Sequence, residues 1–515
     1  MTVQNCHPAK KVAVIGAGIS GIQAAAYLLR QGLQVVVFER SSEPGGIWVY
    51  SEEPSPEPVW PCTKASVGDY QPTKPGQASL RSSADTNGAA NGAEFAYASD
   101  DEARRAFAPG SALWAGIMTN VPSCLMVSNL APWPAGTKSL IPHAQVKTYV
   151  QALAADHGAH GVTEYNTRVE ELRKAPGGDK WDVRTVTLQG AGCALLERTW
   201  QFDAVVVASG HNWRPRVPDV PGLAEWKRRF PGRLMHSMQY RRPEFARGKS
   251  VVVVGNGVSA LNICEELVAV GAKSVVQAVR QPAELPAHIW PPSVRRVQGL
   301  ERFELSEEGE ESTLADGAPI PGSIHLHGGE VLEAGTVDHV IFTTGFLNSL
   351  PYLSHLHEDD TAPEDAGPRT LVTSDGSLTH NLHKDIFYIP DPTLAFIGLP
   401  SDSATFHVFD FQAQVVARVF AGKAELPSEA AMREEYAQLV RDKGLKKRSL
   451  HSLRAAGEIE YVQALVDWCN RDAERLGAEQ IKGHSDEWKQ QRQHFYNQVI
   501  ALMKGEPGAV WPGSE

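Results

Sequence analysis

Short apolar runs rich in β-branched residues alternate along this chain with stretches of helical periodicity, a pattern that predicts parallel strands joined by helices. Residues 12–15 form a continuous apolar run of the kind buried on both faces of a parallel sheet. The run turns at once into Gly16-Ala17-Gly18-Ile19-Ser20-Gly21. A helical pattern follows over 22–30, and a second run, Val35-Val36-Val37-Phe38, closes on Glu39. At 251 the same order returns. Val251-Val252-Val253-Val254 leads into Gly255-Asn256-Gly257-Val258-Ser259-Ala260, then a helix over 261–270 and a strand over 274–279. Gly16 and Gly255, Gly21 and Ala260, and Gly32 and Gly271 are each 239 residues apart, so the two units align without gaps.

Elsewhere the pattern predicts an amphipathic helix over 144–157, a strand starting at Asn166-Thr167-Arg168-Val169, and a small antiparallel insertion from 183–188 and 198–202. Runs at 204–210 and 337–346 read as strands ending in small residues, and 394–399 as one more strand. A helix over 405–421 is placed to turn its N-terminus toward the cofactor of the first unit. Periodicity with mixed charge at 433–441 and 488–503 predicts packing helices. Residues 51–112 break the pattern: Pro, Ser, Gly and Ala dominate, and 82–92 is nearly featureless. So long a structureless loop is uncommon inside a compact domain. Residues 73–112 are therefore expected to be an insertion, flexible or acting as a lid, with order returning at Leu113.

At 515 residues the chain is too long for one core, which stops growing near ~250–300 residues. The fold class expected is α/β, with two Rossmann-like dinucleotide-binding domains and a helical C-terminal segment. The larger domain takes 1–214 and 341–515, and the smaller is inserted at 215–340. A net charge of −11 argues against non-specific binding to nucleic acid or to an anionic membrane. Six scattered cysteines without a Cys-x-x-Cys exclude a thioredoxin-type dithiol and a zinc ribbon, and no metal site is expected. Residues 1–11 lack a signal pattern, and no run approaches the ~18–20 apolar residues of a membrane span. A soluble, cytoplasmic protein is expected; a homodimer is one arrangement left open.

The two glycine turns carry the chemistry. In such a unit Gly16 makes the tight turn, Gly18 lets a pyrophosphate approach the backbone, and Gly21 lets helix and strand pack closely. The helix N-terminus favours the anion. Glu39 is placed to accept from ribose hydroxyls. By the 239-residue alignment its counterpart is Ala278, with Arg280 two residues on. An acid there would repel a 2′-phosphate, and an arginine would bind one. The first unit is therefore expected to hold FAD and the second NADPH rather than NADH.

Between the units lies Phe230-Pro231-Gly232-Arg233-Leu234-Met235-His236-Ser237-Met238-Gln239-Tyr240, which fits Phe-x-Gly-x-x-x-His-x-x-x-(Phe/Tyr). With the two fingerprints, the stretch 43–48 and Thr119-Asn120-Val121-Pro122, the chain resembles the flavin-containing monooxygenases over most of 10–422. The resemblance implies that NADPH reduces FAD, that oxygen adds to give a C4a-hydroperoxyflavin, and that one oxygen passes to a soft nucleophile on a small molecule. Nitrogen is preferred, or sulfur, with a secondary-metabolite alkaloid as substrate. It implies Asn120 beside the flavin, His236 and Tyr240 as residues that orient domains and nicotinamide, and Gln412 as a further flavin-side candidate; these four are the candidate catalytic residues. The candidate cofactor-binding residues are Gly16, Gly18, Ser20, Gly21, Glu39, Arg40, Gly46, Trp48, Asn120, Val169, Gly255, Asn256, Gly257, Ser259, Arg280 and Thr344. Arg241 follows Tyr240 where the similar Baeyer–Villiger enzymes carry Trp, which favours heteroatom over ketone oxygenation. A disulfide reductase of similar build needs a redox Cys pair that this chain lacks. A non-catalytic redox-sensing flavoprotein is the alternative of a different class.

Overall fold

The computed structural model describes residues 8–76, 81–82, 96–97, 100–190, 194–280, 285–306, 317–445 and 449–512. The first unit forms as the pattern predicts: strand β1 (Lys11–Ile15), helix α1 (Ile19–Arg30) and strand β2 (Gln34–Phe38). The helix starts at Ile19, three residues before the expected position, so Gly21 lies within its first turn. A Cβ on Gly21 would come within 1.8 Å of the Gly16 carbonyl oxygen, which explains the glycine. β1 and β2 sit in a seven-stranded sheet whose central members, Leu394–Phe396, Ala204–Val207, β1 and β2, run parallel. Leu382–His383 and Phe387–Tyr388 extend one edge, and Thr163–Glu164 ends the other.

Much of 73–112 lies outside the described residues, but the expectation that order returns only at Leu113 is wrong. Helix α2 (Asp100–Phe107) buries Ala103 and Phe107 against Val186 and Leu188. These two residues belong to an antiparallel meander of Thr167–Lys174, Trp181–Gln189 and Ala194–Phe202. The Arg168 guanidinium lies over the Phe107 ring at 4.7 Å. Polar flanks concealed the two buried anchors. Helix α3 (His143–Asp156) then packs on α1.

A second, fully parallel sheet holds Leu234–His236, His339–Phe342, Ser250–Val254, Ser274–Val279 and Val294–Gln298, in that order. Helix α4 (Val258–Ala269) follows its glycine turn. The chain segments leading into and out of this sheet touch, since Arg214–Pro215 pairs antiparallel with Phe346–Leu347.

The sheet register corrects the ungapped alignment. Ile15 pairs with Phe38, but Val254 pairs with Ala278 rather than Gln277. The turn amides agree: Gly16 N–H donates to Phe38 O at 2.8 Å and Gly255 N–H to Ala278 O at 3.0 Å. One extra residue separates Gly271 from its strand, where Leu33 alone separates Gly32 from β2. The counterpart of Glu39 is therefore Val279, not Ala278, and Arg280 stands where Arg40 does. Neither candidate is acidic, so the expected nucleotide preference survives the correction.

Helix α5 (Thr405–Phe420) crosses behind the first sheet with almost every side chain buried, Phe406, Phe411 and Val415 among them. Each such large apolar side chain contributes about 1.5–3 kcal/mol. Asp410 anchors this helix to α1. It is fully buried and accepts from Tyr27 Oη at 2.6 Å, Ser128 Oγ at 2.5 Å, Asn129 N at 2.9 Å and Gln414 Nε2 at 3.0 Å. Helices α6 (Glu429–Lys443), α7 (Arg454–Arg471) and α8 (Asp486–Lys504) follow. Among the described residues no helix is long and apolar enough to cross a membrane.

Candidate active site

Both glycine turns open on one cavity of about 920 Å³. From the first unit Gly16, Gly18, Ser20, Glu39, Arg40, Gly46 and Trp48 line it, and from the second Gly257, Val258 and Ser259. Asn120 and Val169 line it between them. Strand ends thus point two helix N-termini, with their free amides and partial positive charge, at one space.

The first turn fits a flavin dinucleotide. Gly16 has φ +99°, closed to ordinary side chains, and Gly18 and Gly46 pack backbone to backbone, where a Cβ on Gly46 would meet Gly18 Cα at 2.9 Å; both line the cavity. The Gly45 amide donates to Ala17 O at 2.9 Å and docks this second glycine pair on the turn. Glu39 is held by two amides, Ala17 N–H to Oε2 at 2.7 Å and Ser41 N–H to Oε1 at 2.9 Å. Arg40 pairs with Asp69 at 2.5 Å and lies over the Trp213 ring at 4.3 Å. The second turn fits a phosphorylated nicotinamide nucleotide. Its strand ends without a carboxylate and Arg280 is exposed. Burial pushes the Arg216 guanidinium below its ordinary value, opposed by the Asp375 charge and reinforced by that of Arg280. Asn256 offers a buried Nδ2 without a partner, while its Oδ1 accepts from Gln277 and Arg296.

The structure does not bring every expected residue to the cavity. Gly21 and Gly255 lie behind their turns, and Asn256 and Arg280 stand beside the cavity without lining it. Thr344 donates through Oγ1 to Arg216 O. His236 is wholly buried; its Nε2 donates to Gly345 O at 3.2 Å and its Nδ1 accepts from Met238 N–H at 3.2 Å. Burial pushes it down to about 3, so it stays neutral. Tyr240 donates to Glu266 Oε2 at 2.6 Å, and Trp114 Nε1 donates to Glu266 Oε1 at 2.9 Å. Burial, then the bond to Glu266, keep that phenol protonated. Gln412 is spent: Oε1 accepts from Gly398 N–H at 3.1 Å and Nε2 donates to Tyr461 Oη at 2.8 Å. None of the three lines the cavity: His236 is tied to backbone, Tyr240 to the Glu266 side chain, and Gln412 to one backbone amide and the Tyr461 side chain.

Asn120 does reach the cavity. The preceding Thr119 is buried and pinned twice to Ile141, N–H to O at 2.9 Å and Oγ1 from N–H at 3.1 Å. Residues missed in the sequence include Trp213, Tyr352 and the α8 side chains Arg492, Phe495, Tyr496 and Val499. The α8 group was legible as a stripe at helical spacing; an arginine inside an apolar stripe was the overlooked signal. His451, also lining the cavity, has both nitrogens engaged, with Asp385 at 2.8 Å and Thr379 N–H at 3.1 Å.

Two dinucleotide folds facing one cavity, with an acid closing the first and none closing the second, define a flavoprotein that also binds a nicotinamide nucleotide. Residues 14–64 match the NAD(P)-binding Rossmann-like domain and 104–286 the flavin-binding monooxygenase-like family. The chain is 36% identical over 506 residues to the flavin-containing monooxygenase ustF2 of Aspergillus flavus, covering 93% of this chain and 95% of that one. It is 30% identical over 512 residues to iboF, a flavin-containing monooxygenase of Amanita muscaria, covering 92% and 90%. Among solved structures, the fold is similar to S-allyl-L-cysteine S-oxygenase from Allium sativum, with TM-score 0.65, 23% identity and 98% and 94% coverage. The chain belongs to the flavin-containing monooxygenases. It is an FAD-dependent enzyme that uses NADPH and oxygen on a small-molecule substrate.

Proposed function

We propose that this enzyme oxygenates a soft nucleophilic heteroatom, nitrogen before sulfur, of a small molecule such as a secondary-metabolite alkaloid. The observation that carries the reading is the single cavity onto which both nucleotide turns open, with Asn120 on its wall and His236 and Tyr240 outside it. Bound there, NADPH and FAD supply the reducing equivalents and the transferable oxygen. The chain's own part is geometric. Amides at the α1 and α4 N-termini hold phosphates, Glu39 orients a ribose, and Arg280 holds the 2′-phosphate. The Asn120 amide donates hydrogen bonds at the oxygen-bearing side without offering an acid. We assign 1–214 and 341–515 to FAD and 215–340 to NADPH, in a cytoplasmic enzyme whose homodimeric state light scattering would test.

Arg241, which follows Tyr240, is spent on packing, donating to the carbonyls of Met238 at 2.8 Å, Tyr240 at 2.9 Å and Ser111 at 3.1 Å. Product analysis over pH 6–9 separates the readings. An amine reacts only unprotonated, so kcat/KM for an active amine rises with pH to a plateau at that amine's own pKa, whereas a sulfide gives no such rise. NADPH-dependent N-oxide or hydroxylamine formation is expected. Ester formation from ketones with amines untouched would overturn the proposal.

A further inference from the structure

Neither nucleotide turn accounts for α8 and the residues after it. Trp488, Arg492, Phe495, Tyr496 and Val499 fall on one face of α8, and the last four line the cavity. Three contacts fix the helix across it. Arg492 Nε donates to Glu458 Oε2 at 2.7 Å with both side chains buried, and Glu458 also accepts at 3.1 Å from Ala404 N–H, at the start of α5. Near the far end of α8, His288 Nε2 donates to Leu502 O at 2.7 Å. His288 lies between the strands Ser274–Val279 and Val294–Gln298, so the helix reaches from the first nucleotide fold to the second. Beyond it, the Trp511 indole N–H donates at 3.2 Å to the backbone carbonyl of Asn120. A buried ion pair costs desolvation and is poor evidence of stability for its own sake. Here it fixes a helix that lines the cavity.

We propose that Trp511 is a positioning residue for Asn120, and that the apolar face of α8 is the wall that keeps water from the flavin on the substrate side. The proposal rests on the oxygenation reading above for its purpose, but its geometry does not. Asn120 stands on an exposed loop, tied before it through Thr119 and across it through Trp511. Loss of the second tie frees its side chain to turn, while Phe495, Tyr496 and Val499 exclude solvent that would discharge an oxygen-reactive flavin.

The test compares the FAD-loaded enzyme with its Trp511→Phe and His288→Ala variants. Trp511→Phe keeps a ring and loses the donor; His288→Ala frees the far end of α8. Two readouts are taken: quenching of flavin fluorescence by iodide, and the decay of the absorbance transient after oxygen is mixed with NADPH-reduced enzyme. Both variants are expected to raise the iodide quenching constant at unchanged melting temperature. Trp511→Phe is further expected to shorten the transient about fivefold, as for one lost hydrogen bond, with KM for NADPH unchanged. Quenching and decay equal to the parent in both variants would overturn the proposal. If the parent itself forms no transient, the oxygenation reading fails, and iodide quenching still decides the wall.

Discussion

A histidine that donates to a carbonyl with one nitrogen and accepts from an amide with the other has no proton to trade, and His236 is such a residue. The linker motif flags it, but sequence spacing cannot tell a catalytic imidazole from one spent on the backbone. Asn120 differs because it lines the cavity. Asn120→Ala is expected to leave KM for NADPH within about twofold while most NADPH oxidation is diverted to hydrogen peroxide, in line with the ~10²-fold cost of losing one aimed donor. Peroxide and product assayed together check it; unchanged coupling would remove Asn120 from the site. A second residue matters to the scaffold. Asp410→Asn turns an acceptor of four or more donors into a group whose NH2 faces them, and denaturant melts should show a loss of about 3 kcal/mol.

At the scale of elements, the glycine turns and their strands were legible in the sequence because they obey strict local rules. What was not legible was a one-residue difference in a helix-to-strand connection. Residues 239 apart align perfectly through Gly32 and Gly271 and then slip, so only hydrogen-bond register reveals Val279 as the counterpart of Glu39. Arg280→Ala is expected to raise KM for NADPH by about 10–100-fold and to leave NADH nearly unaffected, as one charge-assisted contact to the 2′-phosphate requires. An equal change for both nucleotides would reject the role. Helix α2 is not legible for a different reason: it buries just two apolar residues, Ala103 and Phe107, too few to make a periodic signal.

Over the whole molecule, the two-domain plan was legible as a repeated unit, but the far wall of the cavity was not. It comes from α8, and contacts such as Trp511 to Asn120 span 391 residues. Stability should also carry a signature of the whole fold. His236 and His484 are pushed down to about 3, and His339, His380 and His383 to about 4, each chiefly by burial. Depressed values mean that these groups bind protons more readily when unfolded. Their contribution is fully present above about pH 6.5 and is lost as pH falls toward 3–4, each adding about 1.4 kcal/mol per pH unit. Thermal melts should therefore fall steadily between pH 7 and pH 5, and a flat profile would mean that these histidines are hydrated in solution. The central claim is that this cavity lets a reduced flavin hold activated oxygen for a substrate, and the direct measurement is stopped-flow absorbance after NADPH-reduced enzyme meets oxygen without substrate. A transient band lasting many seconds, distinct from oxidised flavin, is the expected result. Immediate return of the oxidised spectrum with one peroxide released per NADPH would contradict it.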